Sequence, residues 1–149
     1  MQEIKKIKDS GKQTNAYTKV ERINVGDVDG HMVSLLVSEG VMSTSGDALM
    51  DGAQVASITS SDLINYNGPF HGYSKLTKKG NSAVCKFEGK LTTILSTEGT
   101  PVMTFEATYF WTKGTGQLEN IKGGGTLKGR FLTSIIYTVE WEGEYWIEK

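Results

Sequence analysis

The sequence predicts an all-β fold, a closed barrel of eight antiparallel strands with at most one short helical turn. Three observations carry this expectation. Eighteen glycines stand against two prolines, short apolar runs lie between them, and no segment keeps a helical period over three turns. Long segments in the second half alternate apolar and polar residues, as a strand does when one face is buried and the other is in water. Gly89, Gly129 and Gly143 fall on the apolar faces of three of those segments. A residue without Cβ there permits the bend that closing a small barrel needs. A β-sandwich is the alternative, but the later segments are long, which suits tilted barrel strands better.

Along the chain, residues 1 to about 16 are open between a first strand and a loose tail. Tyr17 to Val25, His31 to Val37, Ala53 to about Asn65 and Phe70 to Thr77 read as strands. Gly26-Asp27, Asp29-Gly30, Asn67-Gly68-Pro69 and Lys79-Gly80-Asn81 mark turns in this half. Ser38 to Asp51, with S-T-S-G-D inside it, is the longest polar connection, either a plain loop or a flap over one barrel mouth. Ser82 to Leu95 then alternates, with Ala83, Cys85, Phe87, Gly89, Leu91, Thr93 and Leu95 on one side. After a turn at Glu98-Gly99-Thr100-Pro101, Val102 to Thr112 sets Met103, Phe105, Ala107, Tyr109 and Trp111 against threonines and Glu106. Gly125, Leu127, Gly129 and Phe131 oppose Thr126, Lys128 and Arg130. Ser134 to Glu148 is the clearest strand, with Ile135, Tyr137, Val139, Trp141, Gly143, Tyr145 and Ile147 on one face.

At 149 residues the chain has the size of one domain, taken as 1–149, enough for a core or for a core hollowed into a pocket. Sixteen basic and seventeen acidic residues leave a net charge of -1 and announce no nucleic-acid partner. The Lys5-Lys6-Ile7-Lys8 cluster reads as a solvated terminus. A single cysteine, Cys85, excludes an internal disulfide and a cysteine-based zinc site, and it fits a reducing compartment. No signal-type apolar core follows Met1 and no run of eighteen apolar residues occurs, so no membrane span is expected. A cytoplasmic protein is the default, with a removed signal peptide left open.

The stretch from Trp111 to Arg130, W-T-K-G-T-G-Q-L-E-N-I-K-G-G-G-T-L-K-G-R, invites a phosphate-loop reading that fails. Gly114-Thr115-Gly116 lacks the third glycine of a dinucleotide fingerprint, and Gly129-Arg130-Phe131 lacks the Lys-Ser/Thr ending of a P-loop. No amphipathic helix follows. The glycines therefore suggest a tight connection between strands, with Gln117 to Ile121 as a short helical turn plugging a barrel end. The segment Gly114 to Gly129 resembles the G-T-G-x-[FY]-x-x-[IAV]-x-G-x-G-x-[FL]-x-G hairpin of allene oxide cyclase-like barrels, a group that includes dirigent proteins. The resemblance implies a small calycin-like barrel with an apolar cavity, and an isomerase or cyclase if the protein is an enzyme. It transfers no catalytic residue, and the catalytic set stays unknown.

The candidate ligand-binding residues are Cys85, Phe87, Phe105, Tyr109, Trp111, Phe131, Tyr137, Trp141 and Tyr145, all on faces assigned inward, together with His71. Packed solid, they form a core; left partly unfilled, they line a slot for a flat or apolar ligand. The number of phenol and indole tips favours the slot, with Tyr109, Tyr137 and Tyr145 as orienting hydrogen-bonders. His71 alternates with Tyr73 and is the best proton-transfer candidate if it points inward. Cys85 reads as a small core residue. Glu88, Glu106, Glu140, Glu142 and Glu144 fall on outward faces, with Lys86 and Lys90 as partial offsets if their strands adjoin. His31 and His71 are too few for a three-histidine metal site, so no metal or cofactor is expected. No G-x-S-x-G elbow anchors a hydrolase triad. Three functions follow. The first is a barrel binding a hydrophobic or aromatic small molecule. The second is an isomerase or cyclase acting by positioning. The third is a dirigent-like or structural homo-oligomer, with Ile136 and Trp146 as subunit contacts.

Overall fold

In the computed structural model, which describes residues 4–46 and 49–149, eight strands pair in sequence order. They are β1 (Ile7–Asn24), β2 (His31–Thr44), β3 (Gln54–Ile64), β4 (Gly68–Lys78), β5 (Asn81–Leu95), β6 (Pro101–Thr115), β7 (Ile121–Phe131) and β8 (Ile136–Ile147). Every pairing is antiparallel, and β1 returns to β8 to close the barrel. One 3₁₀ turn, Gly116–Leu118, joins β6 to β7. No described helix is long and apolar enough to cross a membrane.

The second-half strands lie where the alternation puts them. Two expected inward residues do not: Leu95 and Ile135 are exposed, because each falls where its strand meets a turn. The first half needs more correction. From Ile7 on, the open N-terminal stretch is strand, paired to β8 from Ile7↔Tyr145 to Ala16↔Ile136. Residues 1–3 lie outside the described residues. Ser38 to Thr44 is not loop but the second half of β2, with Ser38 and Met42 buried and Glu39, Val41 and Ser43 outward. Its inward face is partly polar, which hides the alternation from a hydrophobicity reading.

The remaining connection folds over one barrel end. Met50 and Ala53 are buried there, packed in one cluster with Met42, Val55, Leu76, Leu118 and Ile121. Asp51 accepts the Thr44 N–H at 2.9 Å and Asp9 accepts the Gly46 N–H at 2.9 Å, tying the connection down. Asp47 and Ala48, inside the expected flap, lie outside the described residues. The 3₁₀ turn drives Leu118, 2% exposed, into the same end as a plug. A second cluster of Leu63, Leu91, Phe105, Tyr137 and Val139 packs separately, and Cys85, Phe87 and Tyr109 form a third.

The inward glycines have a more specific job than bending. Gly11, Gly72 and Gly129 stand directly opposite Trp141, Phe87 and Phe105. In each pair the ring lies where a Cβ on the glycine would project. A large inward side chain is thus accommodated by the missing one beside it.

On the outer face, Lys90, Glu106, Lys128, Glu140 and Lys12 are successive cross-strand neighbours from β5 through β8 to β1. Lys12 Nζ reaches Glu140 at 3.9 Å, and Lys6 Nζ reaches Glu144 at the same distance. Glu144 is therefore offset by Lys6, and Glu140 by Lys12 with Lys128 on its other side. Lys86 and Lys90, expected in that role if their strand adjoined, sit on β5, which is not paired with β8. Ile136 and Trp146 are half-buried, and Lys6 covers the Trp146 ring at 5.1 Å. Exposed apolar side chains instead include Val33, Leu35, Ile58 and Tyr73 on β2 to β4.

Candidate functional site

The barrel interior holds a cavity of about 140 Å³, lined by side chains of both the plugged-end cluster and the second core cluster. Its aromatic wall is the one the alternation predicts. Cys85 and Phe87 come from β5, Phe105, Tyr109 and Trp111 from β6, Phe131 from β7, and Tyr137, Trp141 and Tyr145 from β8. Trp111 keeps its inward direction beside a bulge: Cys85 pairs with Trp111 and Val84 with Lys113, leaving Thr112 as the extra residue. The rings hold each other edge to face. Phe105 meets Tyr137 at 5.8 Å and 76°, and Tyr109 meets Trp111 at 5.7 Å and 77°.

His71 does not belong to the site. On β4 the inward positions are Phe70, Gly72, Ser74 and Leu76, so His71 and Tyr73 both face out and are exposed. Their alternation with each other is real, but it is the outer face that they share. His71 stands between Ser60 and Glu88 on the neighbouring strands.

The opposite wall was not visible in the sequence reading. It carries Gln13, Asn15 and Tyr17 from β1, Ser57, Thr59 and Ser61 from β3, and Ser74 from β4. In β3 the usual polarity is reversed. Serine and threonine point inward, while Ile58 is 54% exposed. The usable signal was the spacing Val55, Ser57, Thr59, Ser61, Leu63, a small-residue alternation bounded by apolar residues.

Much of this polar wall is paired. Tyr137 Oη and Ser38 Oγ lie 2.7 Å apart, and Ser57 Oγ and Ser74 Oγ 2.6 Å apart. Asn15 Nδ2 donates to Gln13 Oε1 at 3.1 Å. Among the described residues, three buried polar atoms have no hydrogen-bond partner in the protein: Asn15 Oδ1, Ser61 Oγ and Trp141 Nε1. All three belong to residues lining the cavity. Buried polar groups are nearly always partnered, so three around one cavity form a distinct chemical feature.

Apart from Asp9, the described lining residues carry no formal charge. Burial raises the pKa of the Tyr17, Tyr109 and Tyr137 phenols, which stay protonated. Cys85, Asp9 and Glu142 add to the rise at Tyr109, whereas Ser38 and Asn15 oppose it at Tyr137. Burial pushes the Cys85 thiol up to about 12, leaving it an inert small side chain. No lysine, arginine or histidine is among the described lining residues. Asp9 is the one carboxylate, at the capped end, where it accepts the N–H groups of Ser10 and Gly46. No group of three His, Cys, Asp or Glu side chains among the described residues could hold a metal ion. Such a chamber can bury a neutral molecule and offer it hydrogen bonds. No protein-family model matches the chain, and no curated protein matches it.

Proposed function

We propose that this protein binds a hydrophobic or aromatic small molecule inside its barrel. The observation that carries the reading is the cavity of about 140 Å³, walled by aromatic rings on one side and small hydroxyls on the other. A cavity of roughly 150 Å³ is known to hold one benzene, so the ligand is of single-ring size. Burying about 150–250 Å² of ring surface at roughly 25 cal/mol per Å² contributes about 4–6 kcal/mol. That sets an expected dissociation constant between about 1 mM and some tens of micromolar. The hairpin resemblance to allene oxide cyclase-like barrels supports the same reading. Ring-scale volume and a neutral lining favour holding a compact ligand over cyclising a long flexible one. The thiol of Cys85 suits a cytoplasmic setting.

Crystals equilibrated with benzene at millimolar concentration test this. Density for a ring between Phe87, Tyr109 and Ser61 is expected. An interior without a ring at saturating benzene, together with no co-purified molecule in native mass spectrometry, would overturn the reading.

A further inference from the structure

We infer that the barrel end opposite the plug is a docking surface for a second copy of this chain, and that two copies meet there end to end about a two-fold axis. The inference concerns the rim of the barrel and does not depend on the binding reading above.

The connections β1–β2, β3–β4, β5–β6 and β7–β8 all lie at that end. In or beside each one stands an exposed aliphatic side chain. Val25, Val28, Ile64, Leu95, Leu132 and Ile135 are between 46% and 70% exposed. The connections at the plugged end carry no exposed large apolar side chain among the described residues. Met50 and Leu118 turn inward there, while Lys79 and Glu119 face water. Single exposed apolar residues are ordinary, but a set gathered on every connection of one end marks an interaction surface. Hydrogen bonds fix the tips to their neighbours. The Asn65 N–H donates to the Gly30 carbonyl at 3.0 Å, the Thr93 N–H to Asn67 Oδ1 at 2.8 Å, and the Tyr17 N–H to the Ile135 carbonyl at 2.8 Å. A surface already held in place has little ordering left to do on docking.

Charge and area select the occupant. Within residues 25–30, 65–67, 96–100 and 132–135 the charged side chains are Asp27, Asp29 and Glu98, and no lysine or arginine occurs. Anionic lipid surfaces draw basic clusters, so this end does not suit one. The charge also sits on alternate tips: β1–β2 and β5–β6 are acidic, β3–β4 and β7–β8 uncharged. A two-fold axis across the end reverses the order of the tips. One such axis sets β1–β2 over β7–β8 of the second copy, and β3–β4 over β5–β6. Each acidic tip then meets an uncharged one, and apolar side chains meet at all four. Eight strands about 4.8 Å apart and tilted about 40° make a cylinder about 26 Å across with its side chains. End-on contact then buries about 500 Å² per copy. The total of about 1,000 Å² reaches the floor for a specific interface and falls below the usual value of about 1,600 Å². That size suits a reversible dimer.

Sedimentation equilibrium on the full chain at low salt, from about 1 μM to about 1 mM, tests this. A monomer–dimer equilibrium within that range is expected. Leu132→Glu sets a carboxylate opposite Asp27 and Asp29 of the second copy and should weaken the dimer at least about tenfold. Leu132→Lys loses the same apolar contact but meets those carboxylates with opposite charge. It should dimerise at least about fivefold more tightly than Leu132→Glu, and the difference should close at about 1 M salt. Val28→Glu, on another tip, should also weaken the dimer, and it decides the surface if the Leu132 variants do not fold. A wild-type chain that stays monomeric at about 1 mM overturns the inference. Co-sedimentation of that monomer with neutral phosphatidylcholine vesicles would give the end to a lipid surface instead. A dimer unchanged by both glutamate variants places the contact elsewhere and overturns it too. Equal weakening by Leu132→Glu and Leu132→Lys overturns the two-fold arrangement.

Discussion

Gly129 faces Phe105 across the β6–β7 ladder, and the phenyl ring occupies the place where a Gly129 side chain would begin. The Thr138 carbonyl closes the same space from β8. Gly129→Ala therefore introduces a methyl into a filled position, and overpacking of this kind costs about 1–3 kcal/mol. Urea denaturation should show that loss as a lower midpoint at unchanged slope. The position of Gly129 on an apolar face was readable in the sequence, but its ring partner was not. A single strand's period says which way a residue points, and only cross-strand register says what lies beside it. The same limit applies to His71: its alternation with Tyr73 is legible in the sequence, but the face that the two share is not.

The β1–β2 turn is fastened to β3 by a histidine between two carboxylates. His31 Nδ1 lies 2.6 Å from Asp27 Oδ1, and its Nε2 lies 2.5 Å from Asp62 Oδ1. Both ring nitrogens donate only in the imidazolium, so the hydrogen bonds to Asp62 and then Asp27 raise the His31 pKa above the ordinary 6.5. The stabilisation this gives is fully present below 6.5 and is lost as pH rises through the raised folded value. Asp27 behaves oppositely. Its pKa lies below the ordinary 3.8, held there first by the His31 hydrogen bond and then by the Val28 N–H. Its contribution is present above 3.8 and is lost as pH falls through the lowered value. The clasp is thus strongest between those two ordinary values. Wild-type protein should lose more stability than His31→Gln as pH rises from 6.5 through the raised folded value. Parallel pH dependences of the two denaturation midpoints would sink the clasp.

Across the whole barrel, the alternating ladder Lys90, Glu106, Lys128, Glu140, Lys12 puts opposite charges side by side over five strands. Exposed pairs of this kind are individually weak and screened by salt. The register itself is set by the inner face, because a one-residue slip would exchange outward for inward side chains at every position. Glu106→Lys would set three lysines in a row. It should lower the melting temperature at low ionic strength, and most of that difference should close at about 1 M salt, where the Debye length is about 3 Å. A deficit that does not respond to salt would mean the row is not electrostatic in origin.

By itself the sequence determined that the chain is all-β, where the four later strands run, that a short turn plugs one end, and that an aromatic wall from Cys85 to Tyr145 faces inward. Those strands carry apolar residues on one face and charges or threonines on the other, so a fixed period of two is enough to orient them. The tertiary structure decided the other wall. On β2 and β3 small polar side chains go inward while Val33, Leu35 and Ile58 stay outside, so composition points the wrong way and only pairing with neighbouring strands sets the face. Closure of β1 onto β8 then brings Asn15, Ser61 and Trp141 to one cavity from three separate parts of the chain. Their chemistry exists only where the barrel removes them from water.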